Sequence, residues 1–304
     1  MSQSQPPPLR IKILPAWHGR TIESVLRQDF SFSRRQIIAL KKGNGIILDG
    51  VPVYAKTPLQ GGEDLLVQFP PPNPQEIIAE NIDLAIIYED ADLIVVDKPA
   101  GMLVHPVRFH RTGTIANALT YHWQKTGSAA AFHPVHRLDQ PTSGLLLIAK
   151  SSWSHQQLSL QLQNRTISRL YLAVTAGLPP FSHGLITAPI KKSATGVKRL
   201  IAPDGQPAVT RFRTLKSTDH AALHLVKLIT GRTHQIRVHF ASLAAPLWGD
   251  ALYGQADPNF PGPALHAVSL CFMHPRHQQR LKFRAPLPPD LITLTRQLGL
   301  FASK

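Results

Sequence analysis

The sequence has a single cysteine, Cys271, in 304 residues, so an internal disulfide is impossible. Such scarcity of cysteine is typical of a reducing compartment, and we therefore expect a cytoplasmic protein. The sequence also lacks the HExxH, paired-thiolate and glycine-rich spacings of common zinc and nucleotide sites. From these absences we expect no metal and no cofactor.

Long hydrophobic runs are missing as well: none approaches the about 20 apolar residues that span a bilayer, and no hydrophobic signal segment follows Met1. Acidic residues are few, since 18 Asp and Glu stand against 33 Lys and Arg, a formal net charge of +15. This bias favours a polyanionic partner, either nucleic acid or an anionic membrane. Without a membrane segment, nucleic acid is the better interpretation, and a monomer is the default expectation.

Proline-rich segments divide a chain whose 43% hydrophobic and 17% charged residues are typical of a folded globular protein. Residues 1–16, which begin MSQSQPPPL, are predicted to be a flexible N-terminal tail. Residues 17–69 are predicted to form a small domain and residues 70–80 a proline-rich linker. Residues 81–304 have the composition of a larger α+β domain.

The small domain carries strong local signals for two helices and a hairpin. Ser33 and Gln36 form a capping box ahead of the second helix, and Asp49-Gly50 predicts a hairpin turn. Four basic residues bracket that helix: Arg34, Arg35, Lys41 and Lys42. They can be a solvated face, since the helix dipole favours lysines at the C-terminal end. The two arginines lie at the opposite end, which favours RNA binding.

The stretch HPVHRLDQPTSGLLLIAK holds the most informative carboxylate. Asp139 precedes the short apolar run 145–148, which is predicted to be a buried strand. A carboxylate at the edge of a buried strand is partly desolvated and therefore needs a partner or a task. The pattern alone leaves two alternatives open: Asp139 caps a turn or pairs with Arg137, or it performs chemistry.

Three segments resemble motifs of the RluA-type pseudouridine synthases: VVDKPAGMLVHP, HRLD followed by TSGLLLIAK, and TGRTHQIRVH. This resemblance implies an α+β catalytic domain with a largely antiparallel mixed sheet, flanking helices and a basic cleft. It implies that Asp139 is the catalytic aspartate and that Arg237 contacts it. Tyr171 corresponds to the active-site tyrosine of a K-x-Y-x-A motif, in which Arg169 replaces the lysine. The family has a basic and an acidic residue where this chain has Gln140-Pro141.

The resemblance implies that uridine is isomerised after the nucleotide is flipped out of the RNA. Asp139, kept ionised by Arg237, would act as nucleophile or base at the sugar, and Tyr171 would stack on the uracil and help to remove the ring proton. Arg137 would fill the vacated space, and His136 would support the loop, with a general-acid role as the alternative. Residues 191–237 hold ten Lys or Arg against two Asp, and Arg232 is counted among the RNA-binding residues.

The pattern SRRQIIALKKGNGIILDGVPV resembles the alpha-L RNA-binding domain of a small-subunit ribosomal protein and of tyrosyl-tRNA synthetases. It implies a small N-terminal α/β RNA-binding domain, which favours 23S-type large-subunit ribosomal RNA as the substrate. Transfer RNA is the alternative within the enzyme class. The rivals from other classes are a non-catalytic RNA-binding or ribosome-assembly factor with the same fold and a glycosidase that releases free uracil.

Overall fold

The computed structural model describes residues 6–71 and 76–301. The small domain has two helices and an antiparallel sheet in the order β1-β4-β2-β3. Its elements are β1 (Leu9–Lys12), a short 3-10 helix (Pro15–Trp17), α1 (Ile22–Gln28), α2 (Arg34–Lys42), β2 (Ile46–Leu48), β3 (Val51–Pro52) and β4 (Asp64–Val67). The capping box is confirmed, because the Ser33 N–H donates to Gln36 Oε1 at 2.9 Å and the Gln36 N–H donates to Ser33 Oγ at 3.3 Å.

The predicted start of the small domain at residue 17 is too late. Leu9 and Ile11 are both 5% exposed and alternate with exposed neighbours, as in a strand with one buried face. Residues 9–12 pair with β4, so they complete the sheet and are not a tail. The signal was weak because only four residues alternate. Residues 1–5 of the predicted tail lie outside the described part of the chain.

The larger domain contains the remaining elements. Its helices are α3 (Ile115–Thr126), α4 (Ser152–Gln163), α5 (Gln235–Ser242) and α6 (Pro289–Gln297). Its strands are β5 (Ala85–Glu89), β6 (Leu93–Lys98), β7 (His133–Pro134), β8 (Ser143–Ala149), β9 (Ser168–Ala176), β10 (His183–Thr187), β11 (Ile190–Lys192), β12 (Arg199–Ile201), β13 (Val209–Ser217), β14 (Ala221–Leu228), β15 (Leu265–Met273) and β16 (Arg280–Arg284).

Ten of these strands form one sheet in the order β10-β13-β14-β9-β15-β8-β6-β5, with β7 beside β8 and β16 beside β15. Among the pairings between strands of the described residues, only β8 with β15 is parallel. The predicted α+β class with a largely antiparallel mixed sheet is therefore confirmed. All seven residues of β8 are buried, as expected for its continuous apolar run at the centre of the sheet.

Gly144 permits the parallel contact between β8 and β15. Its φ of +108° is disfavoured for residues with a side chain, and a Cβ there would lie 2.4 Å from the carbonyl oxygen of Ala267. The glycine of the TSG motif therefore brings β15 against the strand that follows Asp139.

The two domains share a hydrophobic contact. Trp153, near the start of α4, is 2% exposed and packs with Phe32 and Phe69 in the core of the small domain. Gln156 and Gln157 of the same helix donate to backbone carbonyls of residues 30–31 at 2.8 Å. The small domain is thereby fixed to the N-terminal part of α4.

The second half of the predicted linker lies against the larger domain. Ile77 packs on the main core cluster, and Asn117 Nδ2 donates to the Ile78 carbonyl at 2.7 Å. Residues 72–75, which include two of its prolines, lie outside the described part of the chain. In the segments that the structure describes, no helix is long and apolar enough to cross a membrane.

Candidate active site

A cavity of about 480 Å³ opens where the turn before β8 meets β9, the end of β14 and the start of α5; we call it the central cavity. It brings together seven of the residues named from the sequence: His136, Arg137, Asp139, Arg169, Tyr171, Arg232 and Arg237. The four basic residues Arg34, Arg35, Lys41 and Lys42 lie on α2 in the small domain and do not line this cavity.

The turn that carries Asp139 is organised by Lys98 at the end of β6. Lys98 is fully buried, and its Nζ donates to the carbonyls of Pro99 at 2.9 Å, Met102 at 2.7 Å and Gln140 at 2.9 Å. One ammonium thus ties the turn after β6 to the residue that follows Asp139. Burial lowers the pKa of Lys98 to about 8, and the negative charge of Asp139 opposes that shift.

Lys98 was assigned no role of its own from the sequence. This lysine could have been noticed, because a lysine that ends an apolar strand must find acceptors if it is buried. Gln140, which departs from the family pattern, is also bound to the turn after β6. Gly101 and Gln140 exchange hydrogen bonds, from the Gly101 N–H to the Gln140 carbonyl at 2.9 Å and from Gln140 Nε2 to the Gly101 carbonyl at 3.0 Å.

The prediction that Arg237 contacts Asp139 is wrong for this structure. Arg237 instead forms a two-pronged ion pair with Asp250, with Nε and Nη2 each 2.7 Å from a carboxylate oxygen. Its side chain is 7% exposed and that of Asp250 is fully buried. Burial opposes the guanidinium charge, but the hydrogen bonds and charge of Asp250, and then the charge of Asp139, raise the pKa of Arg237.

Asp139 therefore faces the central cavity with its carboxylate free. It takes part in none of the ion pairs formed by the described residues, and its own backbone carbonyl accepts from the Thr142 N–H at 3.0 Å. The alternative that Asp139 pairs internally with Arg137 is not what the structure has. Arg137 is exposed, and its Nη2 lies 3.4 Å from the Thr233 hydroxyl.

The loop before α5 is held by Gln235, which is 2% exposed. Its Oε1 accepts from the Thr230 hydroxyl at 2.8 Å and the Arg232 N–H at 2.9 Å. Its Nε2 donates to the Val209 carbonyl at 3.0 Å. Because both the oxygen and the nitrogen of the side-chain amide are hydrogen bonded, the loop is fixed with Arg232 at the edge of the cavity.

His234 lines the cavity although it was given no role in the sequence. It precedes α5 with a left-handed φ of 57°, and its Nδ1 is hydrogen bonded to the Tyr253 hydroxyl at 2.9 Å. Burial lowers its pKa, while the charge of Asp139 opposes and that of Arg237 reinforces the shift. A non-glycine residue with a left-handed backbone is uncommon and often lies at a functional site. The sequence alone does not reveal this conformation.

Tyr171 and Arg169 lie two residues apart on β9, so both side chains point to the same face. Tyr171 is 3% exposed, and burial raises the pKa of its hydroxyl, although the Arg169 charge opposes this. Arg169 is 7% exposed and has no carboxylate partner among the described residues. Its Nη2 reaches the Thr230 carbonyl only at 3.4 Å, and its Nε has no acceptor.

Gly231 makes room for this guanidinium. A Cβ at Gly231 would lie 2.9 Å from Arg169 Nη1, closer than real Cβ contacts allow. In the sequence, Arg169 replaces the lysine of the family motif and keeps its positive charge. The structure shows a buried cation that lines the cavity without a counter-charge, which is an arrangement that favours an anionic or oxygen-rich ligand.

His136 is a supporting residue of the same loop. It is 6% exposed, and its Nε2 accepts from the Leu147 N–H at 3.3 Å. Burial, followed by the charge of Arg169, lowers its pKa to about 3. A neutral imidazole at physiological pH agrees with loop support and argues against the general-acid alternative.

A separate group of Asp90, Asp92 and His274 has the spacing of a metal site. His274 Nε2 lies 2.9 Å from Asp90, and Arg276 makes two hydrogen bonds to Asp92 at 2.6 and 2.8 Å. Arg276 also donates to the Pro8 carbonyl at 2.7 Å. Because Asp92 already pairs with the Arg276 guanidinium and Asp90 is hydrogen bonded to His274, we interpret the group as a polar network that fastens the N-terminal segment.

Comparisons with known proteins agree with the geometry. A family model described as RNA pseudouridylate synthase matches residues 92–242. The uncharacterized RNA pseudouridine synthase YlyB of Bacillus subtilis is 41% identical over 272 residues, which cover 88% of this chain and 90% of that relative. Ribosomal large subunit pseudouridine synthase D of Pseudomonas aeruginosa is 36% identical over 298 residues, which cover 92% and 93%. The solved structure of human RNA pseudouridylate synthase domain containing 4 superposes with a TM-score of 0.59 at 25% identity and covers 72% of this chain and 95% of that one.

Proposed function

Because the chain belongs to the RluA-type RNA pseudouridine synthases and is therefore an isomerase, we propose that it isomerises specific uridines in large-subunit ribosomal RNA. One observation carries the proposal. Asp139, Tyr171 and Arg237 come from three separate motifs and line one cavity. The choice of ribosomal RNA is supported by relatives of three organisms that are named for the large ribosomal subunit.

Asp139 acts at the ribose, either as nucleophile or as base. Both roles require an ionised carboxylate that is not already committed to a partner, and Asp139 has a free one. The Arg237 guanidinium is held by Asp250 close enough to feel the charge of Asp139. Its hydrogen bonds go to Asp250, so the oxygens of Asp139 stay unoccupied.

Tyr171 provides the face on which the uracil stacks. Its pKa is raised by burial, so the ring remains a neutral phenol at physiological pH. A neutral phenol stacks well on a base but is a poor acceptor of the ring proton. Tyr171 therefore orients the detached uracil and does not accept its ring proton.

Arg169 donates to an oxygen of the flipped nucleotide. It is the buried cation without a carboxylate, and Gly231 leaves space for its guanidinium beside the cavity. A ligand oxygen would satisfy the Nε that has no acceptor. This role explains why a cation rather than an apolar residue stands two positions before Tyr171.

RNA approaches a positively charged opening. Arg137, Arg165 and Arg232 are exposed at the cavity and can neutralise phosphates around the target. Flipping a uridine out of a helix costs a few kcal/mol, which such contacts offset. Arg137 is placed beside Asp139 and is the side chain that fills the vacated space.

The small domain adds a second contact to RNA, as its resemblance to the alpha-L domain implies. The basic residues of α2 lie on the small domain, which Trp153 fixes to the N-terminal end of α4. Arg165, which lines the cavity, follows the C-terminal end of α4. A 12-residue helix is about 18 Å long. A rigid arrangement of this kind favours a structured RNA over a short single strand.

The test compares cells that lack the protein with cells complemented by the wild-type chain or by Asp139→Asn. Pseudouridines are mapped by carbodiimide labelling and primer extension on both ribosomal and transfer RNA. We expect one or more large-subunit stops that vanish on deletion and return only with the wild type. Stops confined to transfer RNA identify the alternative substrate. Restoration by Asp139→Asn, or free uracil released from the RNA by the purified protein, rejects the proposed chemistry.

A further inference from the structure

A small hairpin projects from the larger domain between β6 and α3. Val107 and His110 exchange both backbone hydrogen bonds, at 2.9 and 3.0 Å, so Arg108 and Phe109 are the two residues of a tight turn. The Phe109 side chain is 84% exposed, and the Arg108 guanidinium lies 5.4 Å from the centre of its ring. A large apolar ring is thus presented to solvent beside a cation.

The base of this hairpin is anchored on both sides. Asn117, which is fully buried, donates from Nδ2 to the Arg111 carbonyl at 3.1 Å. The Gly113 N–H donates to Glu80 Oε2 at 2.5 Å. On the incoming side, the Ile115 N–H donates to the Leu103 carbonyl at 3.0 Å. Because the base is fixed, Phe109 is held away from the protein surface.

The hairpin begins at the loop that holds Asp139. Its first residues follow Met102, whose carbonyl accepts from Lys98, the residue that also binds Gln140. His105, at the root of the hairpin, lies close enough to Arg137 for that charge to reinforce the lowering of its pKa by burial. The root of the hairpin therefore lies against the loop that carries Asp139.

The chemistry of the tip fits one partner. Residues 105–113 contain two arginines, two histidines and one phenylalanine, and no acidic residue. An exposed ring among cations is the combination that binds unpaired nucleotides, where the ring stacks on a base and the cations neutralise its phosphates. An apolar protein surface would leave the arginines without partners.

We propose that the Arg108-Phe109 turn is a further RNA contact, separate from the central cavity and from α2, in which Phe109 stacks on an unpaired base near the target uridine and Arg108 binds an adjacent phosphate. This inference rests on the proposed function. It adds a recognition element outside the central cavity and predicts that substrates carry an unpaired base next to the modified position.

The test measures binding of the full chain to two fluorescein-labelled RNAs by anisotropy. One is a stem-loop with an unpaired uridine-rich loop, and the other is a blunt duplex with the same number of phosphates. We expect Phe109→Ala to weaken stem-loop binding about tenfold and duplex binding hardly at all, as for the loss of one stacked base. Phe109→Trp should retain the affinity. Leu185→Ala truncates another exposed apolar side chain, on β10, and serves as the matched control.

The inference is overturned if Phe109→Ala binds the stem-loop as tightly as the wild type, or if it weakens both RNAs equally. Equal loss on both would mean a general effect on the fold. Binding is measured without catalysis, so the two proposals fail separately. A wild type that forms no pseudouridine while Phe109→Ala loses loop binding rejects only the proposed function.

Discussion

Arg237 and Asp250 form a buried two-pronged ion pair at 2.7 Å, and Arg237 lines the same cavity as Asp139. The Asp250 carboxylate also accepts from the backbone N–H groups of Leu252 and Tyr253 at 3.1 and 3.3 Å, so it is fixed from two sides. The pair keeps the guanidinium from closing onto Asp139. A catalytic carboxylate is thereby left free, with a cation held at a set position near it.

Replacing Asp250 with Asn should be strongly destabilising. It leaves Arg237 as a buried charge without a counter-charge, an effect that typically costs about 3–5 kcal/mol of unfolding free energy. Any folded variant should lose activity, because the guanidinium is free to reach Asp139. Urea denaturation and turnover on RNA measure the two effects. The exposed Asp204→Asn is the control, and equal stability of the two variants would contradict the role of the pair.

Lys98→Met should lower kcat by an order of magnitude or more, because three carbonyls around the Asp139 turn lose their donor. The wild-type rate should fall above about pH 8 as Lys98 loses its proton, since a neutral amine has two N–H groups for three acceptors. A pH–rate profile of the wild type, the variant and the exposed Lys191→Met measures this effect.

The titration of Lys98 should not lower the unfolding free energy at alkaline pH. The pKa of Lys98 is about 8 in the folded chain and lies below the ordinary value of 10.5. Between these two pH values the unfolded chain binds more protons, so this group makes the unfolding free energy rise with pH. If stability and rate fall together above pH 8, the proposed role of Lys98 is wrong.

His136 should contribute to acid denaturation. Its pKa is about 3 when folded against an ordinary 6.5, so the unfolded chain takes up a proton first. The stability that the neutral histidine contributes is fully present above pH 6.5 and is lost progressively as pH falls toward 3. His136→Asn should reduce the slope of the unfolding free energy against pH by the equivalent of up to one bound proton. Urea denaturation across pH measures this slope. The exposed His183→Asn should leave it unchanged, and identical curves for both variants would refute the prediction.

Gly231→Ala should displace the Arg169 guanidinium, because the new methyl group would lie 2.9 Å from Nη1. We expect a decrease in kcat/KM of about tenfold with little loss of thermal stability, since the loop is still held by Gln235. Gly43→Ala is the control, because it has a negative φ and meets nothing closer than 3.5 Å. Activity equal to that of the control would mean that Arg169 does not act on the substrate.

Trp153→Ala should loosen the small domain from the larger one. Removing a buried tryptophan costs about 3–5 kcal/mol, here shared between the two domains. We expect faster proteolysis near residues 70–80 and a larger radius of gyration in small-angle scattering. Trp248→Ala, in a different core region of the larger domain, should not separate the domains. Unchanged scattering for Trp153→Ala would show that the contact is not required.

The features that the sequence predicted are those with local signals. Ser33 and Gln36 are three residues apart, so their capping box could be recognised without the fold. Likewise, β8 is a continuous apolar run, and the motifs that carry Asp139, Tyr171 and Arg237 could be matched to a family. All three residues do line one cavity.

The features that were missed depend on distant contacts. Asp250 lies 13 residues beyond Arg237, and nothing local shows that it, rather than Asp139, pairs with the guanidinium. Trp153 follows the pattern of a core residue of its own domain, whereas it packs in the core of the other. Lys98 has the sequence context of a turn and becomes informative only when three carbonyls from two loops surround it.

The most direct test of the account is release of tritium from uridine carbon 5. Large-subunit ribosomal RNA is prepared from cells that lack the protein and were grown with uridine tritiated at that carbon. Purified wild-type chain should release tritium to water in proportion to the pseudouridine formed, whereas Asp139→Asn should bind the RNA and release none. Release by Asp139→Asn at the wild-type rate would contradict the assignment of the catalytic carboxylate. No release by the wild type would contradict the choice of large-subunit ribosomal RNA as substrate.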